Sequence, residues 1–206
     1  MLTTSGPVSG QRTAVRFSTR KIAITGVMAA LSFIAYEFFR IPNVFGTGAS
    51  FHLGNTFTAL TALLLDGVSG GLAGAIGLSM ADIIAGDPGY ALSTFILKFI
   101  IGIVCGFFAH RVYRIKEHNP GTSRRVRLIA VIVSAASGLL VNVITDPVIG
   151  YFRDRFIFGM PAEFVKYAVK IAGGVTLVNS LLSTACAVSL YLLLHPALQK
   201  SGLLPD

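Results

Sequence analysis

Six apolar runs, at about 20–39, 51–66, 70–86, 91–113, 126–149 and 163–195, occupy most of this chain and decide what it can become. A helix of about 20 apolar residues crosses the hydrocarbon core of a bilayer, and most of these runs approach that length. They are continuous rather than alternating, which selects helices over a barrel. Only 13% of the 206 residues are charged, about half the share found in a soluble domain. The sequence therefore predicts an all-α membrane protein, a six-helix transmembrane bundle, over residues 20–195. A polar tail over 1–19 and a short tail over 196–206 flank it.

The second and third runs are short, and the Asp66-Gly67-Val68-Ser69-Gly70 turn between them makes a tight hairpin, thin or tilted in the bilayer. The last run is longer than a crossing needs, so part of it is expected outside the membrane or tilted. The front tail lacks the apolar stretch of a signal peptide, so the first helix is expected to stay in place.

Positive charge sets orientation. Arg12, Arg16, Arg20 and Lys21 precede the first helix, Arg111, Arg114, Lys116, Arg124, Arg125 and Arg127 surround the loop after the fourth, and Lys200 follows the sixth. The opposite loops hold Arg40, Arg153 and Arg155. Eleven against three puts both termini in the cytoplasm. The same bias accounts for most of the net charge of +8. No aromatic interleaving or folded platform accompanies it, which argues against a nucleic-acid partner. Cys105 and Cys186 fall inside apolar runs, too few and too far apart for a metal or redox pair, and read as packing residues.

With that orientation, polar groups collect at one level. Asp82 falls roughly 6 Å below the outer end of the third helix and Lys98 about 10 Å below that of the fourth. Asn142 and Asp146 occupy the last turns of the fifth helix before Pro147; Lys166 and Lys170 occupy the first turns of the sixth. A charge at the centre of a bilayer costs about 2.5–3.5 kcal/mol on insertion scales, so each needs a physical reason to be there. Structural ion pairs such as Asp82–Lys98 and Asp146–Lys170 are one reason. A water-accessible solute cavity open to the exterior is the other, and clustering on four helices at one depth favours it. Lys98, Lys166 and Lys170 suit an anionic group, whereas Asp82 and Asp146 counter them. Asp82 and Lys98 are expected close together, facing the bundle interior.

The outer loops add candidates: His52, Asn55 and Phe51 from the segment 40–56, Tyr90 and Ser93 or Thr94 from 86–94, and aromatics from 150–163. On the first helix, Ala23, Gly26 and Ala30 form a small-residue face where another helix can approach closely, a candidate surface for a partner protein. The Gly70, Gly74, Gly77 and Ala81 series of the third helix reads as internal packing.

Enzymatic chemistry finds little support. There is no GxxxxGK[ST] phosphate loop, no HExxH and no Cys/His metal spacing, so no cofactor or metal is expected in this chain. "GVSGG" at 67–71 fits G-x-S-x-G, which raises a rhomboid-like intramembrane serine protease with Ser69 as nucleophile and His195 as base. That serine lies in a cytoplasmic turn, on the wrong side for such a site.

The stretch "FHLGNTFTALTALLLDGVSGGLAGAIGLSMADIIAGDPGYALSTFILKFIIGIVCGF" (51–107) resembles the substrate-binding S components of energy-coupling factor (ECF) transporters. The matching features are the H-L-G-N entry to the second helix, the Gly-rich third helix ending in A-D-I-I-x-G, and T-F-x-x-K at the start of the fourth. The small face of the first helix resembles the family's A-x-x-x-A coupling motif, with Gly26 where an alanine is expected. The resemblance implies a multi-pass protein of the prokaryotic plasma membrane that binds a vitamin or its precursor from outside. It implies docking on a transmembrane coupling subunit with two ATPase subunits, which use the ATP. Within the family, the stretch looks most like carriers for hydroxymethylpyrimidine and pyridoxine.

Overall fold

The computed structural model describes residues 18–42, 44, 45, 47, 49–116 and 122–204. Arg12, Arg16 and almost all of the polar front tail lie outside the described residues. The chain forms α1 (Thr19–Phe39), a minimal antiparallel ladder of β1 (Ile41–Pro42) with β2 (Ser50–Phe51), then α2 (Gly54–Leu64), α3 (Gly67–Ile84), α4 (Pro88–Phe107), α5 (Arg124–Phe152) and α6 (Ala162–Lys200). Five stretches, Thr19–Phe39, Gly67–Ile84, Pro88–Val112, Arg124–Ile157 and Ala162–Lys200, are long and apolar enough to cross a membrane.

The remaining helix corrects the sequence reading of the run at 51–66. α2 has 11 residues, which rise about 16 Å, half of a hydrocarbon core. Ten of the 11 are buried, and α2 packs against α1, α3, α4, α5 and α6 at once. It is the axle of the bundle rather than a lipid-facing span. Leu60, Leu63 and Leu64 on α2 meet Ile101 and Cys105 on α4 and Leu139 on α5 in the main apolar core.

Glycine sets how closely α3 approaches its neighbours. A Cβ on Gly102 would collide with the backbone of Gly71, and one on Gly106 with that of Gly67, so α3 and α4 are in backbone contact. Gly74 faces Thr58 of α2 and Gly77 faces the Ala29 carbonyl of α1. The α3 series is internal packing, as its spacing suggests.

Two helices run further than expected. Pro147 and Pro196 both lie inside helices, and α6 continues to Lys200 instead of fraying near His195. In a membrane bundle, neighbouring helices re-satisfy the carbonyl that proline frees. α4 and α5 each end in a wider π-helical turn, Phe108–Val112 and Arg153–Ile157.

The charges sort to opposite ends. Lys21 pairs with Asp66 in the α2–α3 turn, Lys116 donates to the Leu65 carbonyl at 3.0 Å, and Arg20 donates to the Gly202 carbonyl. Arg40 and Arg153 lie at the other end, where α3 turns into α4.

Candidate functional site

At that other end the helices enclose a cavity of about 130 Å³. Eight of the nine predicted solute residues line it: His52 and Asn55 around the start of α2, Asp82 on α3, Tyr90, Thr94 and Lys98 on α4, and Asn142 and Asp146 on α5. The ninth, Lys170, does not: it is exposed on α6 and outside the cavity. Lys166 is exposed as well, bonded to Glu163 at 2.9 Å. The first turns of α6 thus turn their lysines outward, and Phe51 is likewise absent from the lining.

Asp82 and Lys98 are both nearly buried, at 7% and 8% exposure, and share this cavity. Lys98 feels the charge of Asp146 most and that of Asp82 next, yet it closes an ion pair with neither. The hydroxyls of Tyr36 and Thr94 face the Asp82 carboxylate. Asp146 accepts from Thr176 Oγ1 at 2.5 Å, so its predicted pairing with Lys170 is replaced by a hydroxyl lower on α6.

Among the described residues, three buried side-chain oxygens on the cavity wall have no hydrogen-bond partner: Asn55 Oδ1, Asp82 Oδ2 and Asn142 Oδ1. Native proteins rarely strand such atoms, because each forfeits about 1–3 kcal/mol of solvation. All three belong to residues that line this one cavity.

The rim is tied from both sides. Asn179 of α6 donates to the Ser50 carbonyl at 2.9 Å and accepts from the His52 N–H at 3.2 Å, pinning the segment that leads into α2. His52 Nδ1 accepts from the Gly54 N–H at 3.2 Å, which leaves the ring proton on Nε2. Burial, with Lys98 and Arg40 nearby, pushes the His52 pKa down to about 3 and keeps the ring neutral. Arg40 donates to Ser50 Oγ at 3.2 Å and faces Asp87 at 3.6 Å, joining the end of α1 to the ladder and the α3–α4 turn.

Arg153, Asp154, Thr176, Asn179 and Tyr36 also reach the cavity, and the sequence reading missed them. The π-helical turn after α5 carries Arg153 and Asp154, which read as loop residues once Pro147 is taken as the helix end. Arg153 Nε donates to Asp154 Oδ1 at 2.8 Å, its Nη1 donates to Ser93 Oγ at 3.0 Å, and its guanidinium lies 4.1 Å over the Tyr90 ring. Thr176, Asn179 and Ser183 recur at helical spacing within an apolar run, a polar stripe visible in the sequence that the more conspicuous lysines overshadow.

Ser69 is part of a helix cap. Its N–H and Oγ both donate to Asp66, at 2.9 and 3.2 Å, at the start of α3. Burial pushes the Asp66 carboxyl up, but bonds from Lys21 and Ser69 outweigh it and hold its pKa below the usual carboxylate range. His195 stacks on Tyr191 on α6. The G-x-S-x-G match is a capped turn, and the rhomboid-like alternative has no support.

On the flank, Ala23, Gly26 and Ala30 are all exposed, and nothing lies within 4 Å of a Cβ built on Gly26. Gly26 and Ala30 line an apolar groove between α1 and α3 with Phe33, Ile76 and Met80.

A family model described as ECF-type riboflavin transporter, S component, matches residues 16–196. A UPF0397 protein of Exiguobacterium sp. is 30% identical over 169 residues, covering 79% of this chain and 85% of that protein. An uncharacterized protein of Pyrococcus woesei is 27% identical over 128 residues, covering 60% of this chain and 74% of the other. No solved structure matches.

Proposed function

We infer the function from the family to which this chain belongs, the ECF-type riboflavin transporter S component family: the protein is a substrate-specific, multi-pass membrane subunit for vitamin uptake. Beyond that membership, we propose that the cavity between α2, α3, α4, α5 and α6 is the solute site. The observation that carries this is the convergence of Asn55 Oδ1, Asp82 Oδ2 and Asn142 Oδ1, all buried and unpartnered, on one cavity wall. The charge asymmetry of the chain supports an outward-facing mouth and cytoplasmic termini.

The solute we propose is a single-ring vitamin or precursor of the hydroxymethylpyrimidine or pyridoxine type. A cavity of about 130 Å³ is close to the roughly 150 Å³ that accommodates one benzene ring in an engineered protein core. A tricyclic flavin with its ribityl chain requires the walls to part. Import draws on ATP hydrolysed by two ATPase subunits acting through a transmembrane coupling subunit, and this chain itself uses no cofactor. The coupling subunit docks on the α1 face of Ala23, Gly26 and Ala30, where small exposed side chains admit a helix to backbone distance.

A thermal-shift and calorimetric screen of the purified protein, without ATP or partners, tests the reading. The panel contains hydroxymethylpyrimidine, pyridoxine, riboflavin and other water-soluble vitamins. Stabilisation by a single-ring member is the expected outcome. Riboflavin as the sole stabilising solute transfers the assignment to a flavin, and no stabilisation by any member removes the solute site from this cavity.

A further inference from the structure

We propose, resting on the solute-site reading above, that the cavity selects a cationic solute rich in N–H donors, of the amidine or protonated aminopyrimidine class, and rejects anions. Charge is the first ground. Three carboxylates (Asp82, Asp146 and Asp154) and two cations (Lys98 and Arg153) line the cavity. Arg153 and Asp154 neutralise one another at 2.8 Å. With both ionised, Asp82 and Asp146 share Lys98, and the wall is then short of one positive charge.

The cations nearest in sequence or space do not supply it. Arg40 is not among the lining residues and is engaged by Asp87 and by Ser50 on the rim, and Lys166 and Lys170 project outward from α6. His52 accepts through Nδ1 and carries a single ring proton, so it adds a donor but no charge. An uncompensated carboxylate walled by helices is poorly screened and attracts a cation more strongly than one at a surface.

Hydrogen bonding is the second ground, independent of the first. Asn55 Oδ1, Asp82 Oδ2 and Asn142 Oδ1, the unpartnered buried atoms of the wall, are all acceptors. Asn55 and Asn142 are each 1% exposed, and no group among the described residues bonds either oxygen. Asn179, the amide beside them, already uses both its polar atoms on the Ser50 carbonyl and the His52 N–H. The solute must therefore bring donors. An amidine edge, with two N–H groups side by side and a delocalised positive charge, meets a carboxylate with two parallel bonds and answers both deficits.

Three matched rings test this on the full-length protein in detergent: benzamidine, benzamide and benzoate, each followed by calorimetry and thermal shift. Benzamidine is expected to bind about tenfold or more tightly than the neutral benzamide, with no binding of benzoate. Asp82→Asn and Asp146→Asn are each expected to erase most of that preference. Lys98→Met, which removes the competing cation, is expected to tighten benzamidine. Should Asp82→Asn fail to fold, the other two variants carry the test.

Benzamide or benzoate binding as well as benzamidine overturns the proposal. So does a preference unchanged in Asp146→Asn, or weakened in Lys98→Met. If a neutral or anionic vitamin binds in the cavity while benzamidine does not, the charge selection falls and the solute site stands. If neither vitamins nor probes bind, the solute site itself falls.

Discussion

Lys98 is a buried charge that closes no ion pair among the described residues. Its attraction to Asp146 exceeds that to Asp82, although Asp82 lies on the adjoining helix at similar depth. The choice depends on how α5 is rotated about its axis, which helical spacing within one run leaves open. Removing the ammonium leaves two carboxylates facing one cavity, so Lys98→Met should lower the melting temperature of the empty protein. Benzamidine at saturation should restore much of that loss, because it returns the missing charge; thermal shift with and without the probe checks it. His52 gives a second prediction, in pH. Its folded pKa of about 3 lies below the unfolded value near 6.5, so between those values the unfolded chain binds the extra proton. The contribution of the neutral ring is therefore complete above about pH 6.5 and declines as pH falls. Melting temperatures measured from about pH 8 down to pH 5 should drop for the parent and flatten in His52→Gln. An equal slope in the variant would assign the drop to other groups.

Among the elements, the membrane runs were legible and their ends were not. Hydropathy marks where a helix is apolar, but Pro147 and Pro196 look like stops in sequence and yet lie inside helices. That error left Arg153 and Asp154 out of the predicted cavity lining, and the missing rotation of α6 put Lys170 into it. The cavity residues on α3 and α4 were found because a short turn fixes those helices as neighbours and the charges stand out against an apolar background. α2 resisted reading for a different reason: an 11-residue helix buried on all sides has the same composition as a longer span. The glycines of α3 give the prediction at this scale. Gly102→Val drives a side chain into the Gly71 backbone, in a contact between two main chains that has no flexible end to yield. Overpacking of this kind costs about 1–3 kcal/mol or more, so the variant should express poorly and melt early in detergent. Ser69→Ala, by comparison, removes one hydroxyl bond to Asp66 and keeps the N–H bond of the cap, costing about 1 kcal/mol with solute binding unchanged.

Seen as a whole molecule, the chain keeps the cavity and the proposed docking face apart. The cavity opens among α2 to α6, with Tyr36 from the last turn of α1, at the end where α3 turns into α4, whereas the small-residue face lies earlier on the flank of α1. If both proposals hold, their separation predicts that solute binding and partner docking break independently. The contrast between two glycines makes the test sharp: Gly102 is locked between main chains, while a Cβ on Gly26 meets nothing within 4 Å. Gly26→Leu should therefore leave the isolated protein folded, with an unchanged melting temperature and unchanged affinity for whichever vitamin the screen identifies. On the same face, the added side chain holds a partner helix away from the backbone of α1 and removes the close approach that small residues permit. Co-purification of a coupling subunit expressed with this chain should drop by about tenfold or more, equivalent to about 1.4 kcal/mol or more of lost contact. Ala23→Leu and Ala30→Leu, one turn to either side, should act in the same direction, and Val27→Leu, exposed on the same helix but already large, should not. If Gly26→Leu retains the partner while Val27→Leu loses it, docking uses a different stripe of α1. If all four retain it, the coupling subunit approaches the bundle elsewhere, and the exposed small face of α1 belongs to lipid.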